Sequence, residues 1–405
     1  MGLLDRIFNK KAVAERVEGS ALISEQQGSF TVWNGDAYSN DIYRAAVDAI
    51  ARNCAKLKGC HTIRYADHTR TAEDCKINRL LQVRPNAYMS AYDFLYKLIT
   101  RYYLNNNAFA LLDKDERGNV RAIYPITETH VEMLTDPTNE LYCRFTFKSG
   151  QRATFRYADI IHLRRNFNSN ELLGDDNGAL YPAIELAHTQ NEGIISGIKS
   201  GANIRGILHF TQIMPPSKMK EEKDAFISDY LSMNNDGGVV ATDQKSEYTP
   251  IESKPVLLSA EQSDAIAEKI YNYLGVSKEI VNSSYNEDQF SAFYESTVEP
   301  IALALSLEFT AKIFNDREQA FGNAIIFESG RMTYTSNKTK VDLIEKLVPF
   351  GILSINQALE ILNLPPVEDG DRRLQSLNYV SAAQADAYQM SKAKADGAGT
   401  EGATE

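Results

Sequence analysis

Little in this sequence announces chemistry. Its four cysteines, Cys54, Cys60, Cys75 and Cys143, form no Cys-x-x-Cys pair. That excludes a zinc ribbon and a disulfide framework, and leaves the profile of a reduced, intracellular chain with buried thiols. No apolar run approaches the ~20 residues that a membrane helix needs. The opening, Met1 to Phe8, is too short for a secretory signal, and Arg6 breaks the myristoylation pattern. A short amphipathic arm that docks on a neighbour is the expectation there. A phosphate-binding loop is missing too, since Gly197-Ile198-Lys199-Ser200-Gly201 lacks the upstream glycine and follows no strand. Neither a Gly-x-Ser-x-Gly elbow nor an internal repeat occurs, and Glu368-Asp369-Gly370-Asp371 lacks the spacing of a calcium loop. A basic surplus is also wanting: 43 Lys and Arg stand against 54 Asp and Glu, for a net charge of −11. Tight DNA binders carry the opposite balance, because neutralising phosphates releases counterions.

What is present is ordinary soluble-protein material, 43% hydrophobic and 24% charged, in 405 residues that suggest two or three units. The chain is organised around Ser259 to Phe314. Ser259-Ala260-Glu261-Gln262 reads as a capping box, Ile266, Ile270, Tyr273 and Leu274 fall at helical spacing, and Gly275 stops the helix. A much longer helix starts near Asn286, with the stripe Phe290, Tyr294, Val298, Ile301, Leu305, Phe309 and Ile313. Such a helix is a rod of about 40 Å, and Pro300 in its middle predicts a kink. Between the helices lie Asn282, Ser283, Ser284, Tyr285, Asn286, Glu287 and Asp288, with no aliphatic residue. That loop must face water or a polar partner.

Upstream, helices are predicted over about Asn40–Leu57 and Ser90–Leu104. Short strands follow at Phe109–Leu112, Val120–Tyr124, Val131–Leu134, Tyr142–Phe147, Ala153–Tyr157 and Ile160–Leu163, which makes an α+β domain on a largely antiparallel sheet. A helix resumes from Ala179 to about Asn203. Next comes an insert with a strand at Ile207–Phe210, a helix at Ser217–Leu231 and a strand at Gly238–Ala241. After the long helix, Ala324–Phe327 is a strand expected to return to the first sheet. Helices at about Lys338–Pro349 and Ser354–Leu362 follow, and beyond Ser381 too little is apolar for a core.

Several of these stretches resemble phage portal proteins, the head–tail connectors of long non-contractile-tailed phages. They are Ile270-Tyr271-Asn272-Tyr273-Leu274-Gly275-Val276, Tyr285-Asn286-Glu287, Phe293 and Thr297-Val298-Glu299-Pro300, joined by Arg84-Pro85-Asn86, Asn107-Ala108-Phe109, Asp159 to Arg164, Gly351 to Gln357 and Leu364-Pro365-Pro366. Ser277 stands where the family has proline, Asn106 where glycine is common, and Gln357 where glutamate is usual. Serine can cap the short helix that follows, and asparagine tolerates a left-handed backbone. The resemblance spans roughly residues 40 to 375.

It implies an N-terminal arm (1–38), a wing domain (39–178), a first stem helix (179–203) and a clip (204–256). It further implies a second stem helix (257–281), a tunnel loop with kinked tunnel helix and return strand (282–330), a helical crown (331–380) and a disordered tail (381–405). In function it implies one subunit of a ring, twelve copies in the family, at one capsid vertex of the virion. Double-stranded DNA would be packaged and ejected through the ring, which is assembled in the host cytoplasm. The implied partners are the major capsid protein, the large terminase packaging motor and a head–tail adaptor. Asn282 to Asp288 would form the constriction, and Lys218, Lys220 and Lys223 of the clip would offer an adaptor or motor contact. The same lysines alternate with Glu221, Glu222 and Asp224, which also suits a plain solvated face.

Two other classes compete. A metal-dependent enzyme could use His162 and His188; Glu185-x-x-His188 has the spacing of half a di-metal site, but a second Glu-x-x-His is lacking. An acidic monomeric scaffold is the other. No catalytic residue, cofactor or metal is predicted on the portal reading.

Overall fold

A computed structural model describes residues 21–27, 37–65, 69–72, 75–201, 206–210, 215–230, 246–250, 260–328, 337–362 and 364–375. The expected tail, the first half of the expected arm, the Ser259 cap and the strand at Gly238–Ala241 lie outside these residues. The chain divides into two compact units, one comprising 1–285 and 289–327, the other 286–288 and 328–405.

In the first unit α1 (Asp41–Cys54) and α3 (Ala91–Asn105) pack together. Both begin as the sequence predicts. Asn40 accepts a hydrogen bond from the Tyr43 amide, and Ser90 forms a reciprocal capping box with Asp93. The Ser90 bonds hold the Asp93 carboxyl below its ordinary range. β2 (Lys58–Arg64), β3 (Thr69–Thr71) and α2 (Lys76–Gln82) lie between these helices in sequence.

The expected single sheet is divided. β4 (Asn107–Lys114) is central to a three-stranded sheet with β5 (Val120–Ile126) and β9 (Ile160–Arg164). β6 (His130–Thr135), β7 (Leu141–Thr146) and β8 (Arg152–Arg156) form a second sheet, and β1 (Ala21–Gln27) pairs antiparallel with β6. This part of the expected arm therefore docks on its own chain. Phe109, Leu111 and Ile160 from one sheet meet Val131, Met133, Phe145 and Phe155 from the other in one buried cluster. Burial of this apolar surface at ~25 cal/mol per Å² is what holds the two sheets together.

The strand expected to return to the first sheet, β12 (Asn323–Glu328), instead joins β2 and β3 in a third sheet. Its other edge is satisfied by a helix. Ser306 and Thr310, one turn apart on α9 (Glu299–Ile313), accept hydrogen bonds from the Phe327 and Ile325 amides, both at 2.8 Å. Steps of four on a helix and two on a strand have nearly equal length, so the hydroxyls match the unpaired amides.

α4 (Tyr181–Gly201) packs on α6 (Ala260–Leu274), which also packs on α1. In the insert, β10 (Gly206–Phe210) precedes α5 (Pro216–Tyr230), and its antiparallel partner is β11 (Ser246–Pro250), a segment the sequence pattern did not mark. α7 (Lys278–Val281) and α8 (Glu287–Phe293) follow α6, and α10 (Asp316–Ala320) follows α9.

The expected continuous rod is interrupted. Between α8 and α9 the residues Tyr294–Val298 form a π-helical turn, in which the Glu299 amide reaches back five residues to the Tyr294 carbonyl. Pro300 follows as an early residue of α9. It has no amide to give the Ser296 carbonyl, and the widened turn ahead of it accommodates that loss.

The second unit contains α11 (Asn337–Leu347), β13 (Phe350–Ser354), α12 (Ile355–Ile361) and β14 (Arg373–Gln375). The β13–β14 pair corrects a purely helical expectation. Gln357 completes a capping box with Ser354, doing the work of glutamate at that place.

Candidate functional site

The polar stretch predicted to carry function sits on the tip of a helical hairpin that is closed at its base. Gly275 ends α6 with φ +77°, and its carbonyl accepts a 2.7 Å hydrogen bond from the Thr297 hydroxyl in the π turn. Asp41 to Cys54 supplies the third wall: Arg52 donates to the Val281 carbonyl and to the Ser283 hydroxyl. Ile280, Phe290 and Phe293 are buried below the tip, and the Tyr285 ring lies 5.2 Å from that of Phe290.

Above this base the tip is open. Asn282, Ser283, Ser284 and Tyr285 are all exposed, and Ser283 adopts φ +58°. Asn286, Glu287 and Asp288 are exposed as well and group with the second unit, where Glu287 accepts a hydrogen bond from Thr339. Glu287 and Asp288 form the acidic first turn of α8, favourable for the helix dipole. Ser277 occupies the N-cap position of α7 but makes no capping bond. Its hydroxyl bonds the Glu279 carboxylate instead; that bond and the Glu279 backbone amide hold the carboxyl below its ordinary range, the amide contributing most.

A junction that sequence reasoning missed fixes α6 to the sheets. Asn177 donates to the carbonyls of Tyr103 and Leu104 at the end of α3, and accepts from Asn106 and from the Tyr273 hydroxyl. Arg165 donates to the Tyr273 carbonyl at 2.7 Å and lies between the rings of Tyr103 and Tyr273. Asn106 adopts φ 52°, the left-handed conformation expected where glycine is common. Asn177 itself carries no motif, so only the fold reveals it.

The other predicted residues are dispersed. Lys218, Lys220 and Lys223 are exposed on α5, Lys223 paired with the adjacent Asp224. His162 is buried: its Nε2 bonds Asn107, its Nδ1 bonds the Tyr157 hydroxyl, and its ring stacks on Phe109. Burial pushes the His162 imidazole well below the ordinary histidine range, with Arg164 and Lys312 adding to it. His188 pairs with Glu192 on an open face of α4 rather than with Glu185. With both His162 nitrogens taken, the two histidines do not make a metal site, and among the described residues no group of three or more His, Cys, Asp or Glu is arranged to hold one.

Comparison with known proteins agrees with this geometry. Probable portal proteins of Lactococcus phages p2 and SK1 are each 22% identical over 268 residues, covering 62% of this chain and 68% of theirs. The neck of an empty gene transfer agent particle superposes with a TM-score of 0.58 at 17% identity, covering 84% of this chain and 97% of that one. A portal protein of the HK97 phage family from Corynebacterium diphtheriae superposes with a TM-score of 0.51 at 11% identity, covering 76% and 99%. These likenesses establish the fold. The family described as "Phage portal protein" matches residues 41–363, and the chain belongs to that family.

Proposed function

We propose that the chain is one of twelve subunits of a closed ring at a capsid vertex, and that DNA passes through the ring during packaging and ejection. The observation that carries this reading is the exposed, aliphatic-free stretch Asn282 to Asp288, whose first part, Asn282 to Tyr285, stands on a base anchored by Thr297, Arg52 and the Asn177 junction. Repeated around an axis, these tips are the narrowest part of the channel. Asn, Ser and Tyr offer weak, exchangeable hydrogen bonds to phosphate, while Glu287 and Asp288 repel it, so DNA advances without being gripped.

Supporting evidence for the ring comes from α9. Leu303 and Leu307, one turn apart, are 59% and 63% exposed on a helix whose other face is buried. An apolar helix face left bare in one chain suits a neighbouring copy, and head-to-tail contacts of that kind close into rings. A neck of native gene transfer agent particles, which matches this fold at a TM-score of 0.56, was computed with C12 symmetry. In the assembled virion the insert around Lys218, Lys220 and Lys223 meets the packaging motor and then the adaptor, and the ring also meets the capsid protein. The role is structural rather than enzymatic.

Replacing Asn282–Asn286 by a Gly-Ser linker tests the constriction. DNA should still enter the particles and should leak back out once packaged. Retention equal to that of the unaltered protein would refute the constriction.

A further inference from the structure

Three residues far apart in sequence meet beside a cleft of about 850 Å³ in the first unit. His61 of β2 has its Nδ1 3.3 Å from the Cys75 sulfur, and its Nε2 2.8 Å from the Asn323 side-chain oxygen at the start of β12. The Asn323 Nδ2 donates to the Glu318 carbonyl at 2.9 Å, which leaves Oδ1 to face the imidazole. Oδ1 can only accept, so His61 Nε2 carries the proton and Nδ1 is a bare acceptor aimed at the thiol. The His61 ring is buried and held against Phe314, with ring centres 4.8 Å apart. A nucleophile, a base and an orienting amide in hydrogen-bond sequence are the arrangement by which a thiol is activated.

Cys75 is half-buried and lines the cleft. Four cations, Lys76, Lys114, Arg117 and Lys312, line it too, against the carboxylates of Asp115 and Glu318. Lys114 is already paired with Asp159 outside the cleft, and Lys312 with the Tyr157 carbonyl and ring. The remaining cysteines differ. Cys54 and Cys143 are wholly buried, and burial raises both thiols, Cys54 to about 12. Cys60 is half-buried like Cys75, and its sulfur accepts from the Gln82 side-chain amide.

The geometry assigns Cys75, with His61 as its base and Asn323 as the positioning residue, as a nucleophilic thiol site for small anionic disulfides. His61 Nδ1 takes the thiol proton, and the Cys75 thiolate attacks one sulfur of the disulfide. The S–S bond breaks, its electron pair leaves on the other sulfur, and that thiolate takes the proton back from His61. Cys75 ends as a mixed disulfide and one free small thiol is released, so one thiol and one disulfide stand on each side. The site is independent of the ring and of the channel.

The test is to expose the full-length protein at neutral pH to oxidised glutathione, and separately to the uncharged bis(2-hydroxyethyl) disulfide, and to follow each cysteine by peptide mass mapping. Cys75 should be modified about ten-fold faster than Cys60, which has similar exposure and whose sulfur takes a hydrogen bond from Gln82. That ratio needs no variant; equal rates would overturn the assignment. His61→Gln should lower the Cys75 rate about ten-fold and Asn323→Leu should lower it by a smaller factor, each leaving Cys60 unchanged. Cys54 and Cys143 report folding, because they react only if the chain opens. A folded His61→Gln protein that reacts at the original rate would sink the role of the base. Lys76→Gln with Arg117→Gln should slow glutathione and not the uncharged disulfide; equal slowing of both would overturn the anionic class.

Discussion

Two asparagine-rich stretches of this chain have similar composition and opposite fates. Asn105, Asn106 and Asn107 are at most 3% exposed, and Asn107 alone accepts from His162 and the Gly174 amide while donating to the Asn105 and Gly174 carbonyls. Asn282 and Asn286 stand open to solvent at the hairpin tip. The difference teaches that polarity alone says nothing about mobility or role. A buried amide is tolerated when its partners are complete, and it then fixes the backbone around it. An exposed amide such as that of Asn282 is within reach of an outside partner.

The sharpest way to break the comparison is to remove a buried amide. Asn107→Leu orphans the His162 N–H and the Gly174 amide, and should cost about 4 kcal/mol in denaturant unfolding. Asn106 separates two causes. Asn106→Gly keeps the left-handed backbone and loses the bonds to Asp175 and Asn177, for about 2 kcal/mol. Asn106→Ala should cost about 1 kcal/mol more, because φ 52° then carries a side chain that disfavours it.

His162 gives the pair a pH signature. Its folded form resists protonation, so as pH falls below the ordinary histidine range the unfolded chain binds a proton that the native chain does not. Stability from this residue is full above about pH 6.5 and declines below it, at up to about 1.4 kcal/mol per pH unit. Glu128 and Glu308, both raised by burial, act in the opposite sense: they favour the fold at acid pH and lose that contribution as pH rises above the usual carboxylate range. The measurement is therefore the difference in slope between the unaltered chain and His162→Gln from pH 7 to 5: as pH falls, the unaltered chain should lose stability relative to the variant, by up to about 1.4 kcal/mol per pH unit.

Effects at the tip should be small and of either sign. Ser283→Gly relieves the φ +58° conformation and should stabilise by up to about 1 kcal/mol, less the contact with Arg52. Asn282→Ala should change stability by less than about 0.5 kcal/mol. A tip substitution as costly as Asn107→Leu would show that the stretch is a structural element and not an open surface.

Much of this contrast was legible in the residues. The Asn282–Asp288 tip follows from the absence of aliphatics, the helix starts at Asn40, Ser90 and Ser354 from their caps, and the backbone at Asn106 from the residue's tolerance of positive φ. What sequence could not supply was long-range. The return strand carries the same alternation whichever sheet it joins; what sets it beside β2 are contacts such as Arg64 to Gly322 and His61 to Asn323, with Ser306 and Thr310 taking the free amides on its other edge. Pro300 predicts an irregularity, but whether the chain bends or widens depends on Thr297 finding the Gly275 carbonyl. Asn177 and the His61–Cys75–Asn323 cluster join residues as much as 262 positions apart, and no local pattern encodes them.

The central claim is that copies of this chain close around an axis with the polar tips innermost. It is tested most directly by native mass measurement and electron imaging of the purified full-length protein beside Leu303→Asp/Leu307→Asp. The account predicts annular particles of about twelve copies with a central hole for the unaltered chain, as head-to-tail closure requires, and folded, unassembled subunits for the variant. A chain that stays monomeric at high concentration, or a variant that assembles as before, would contradict it.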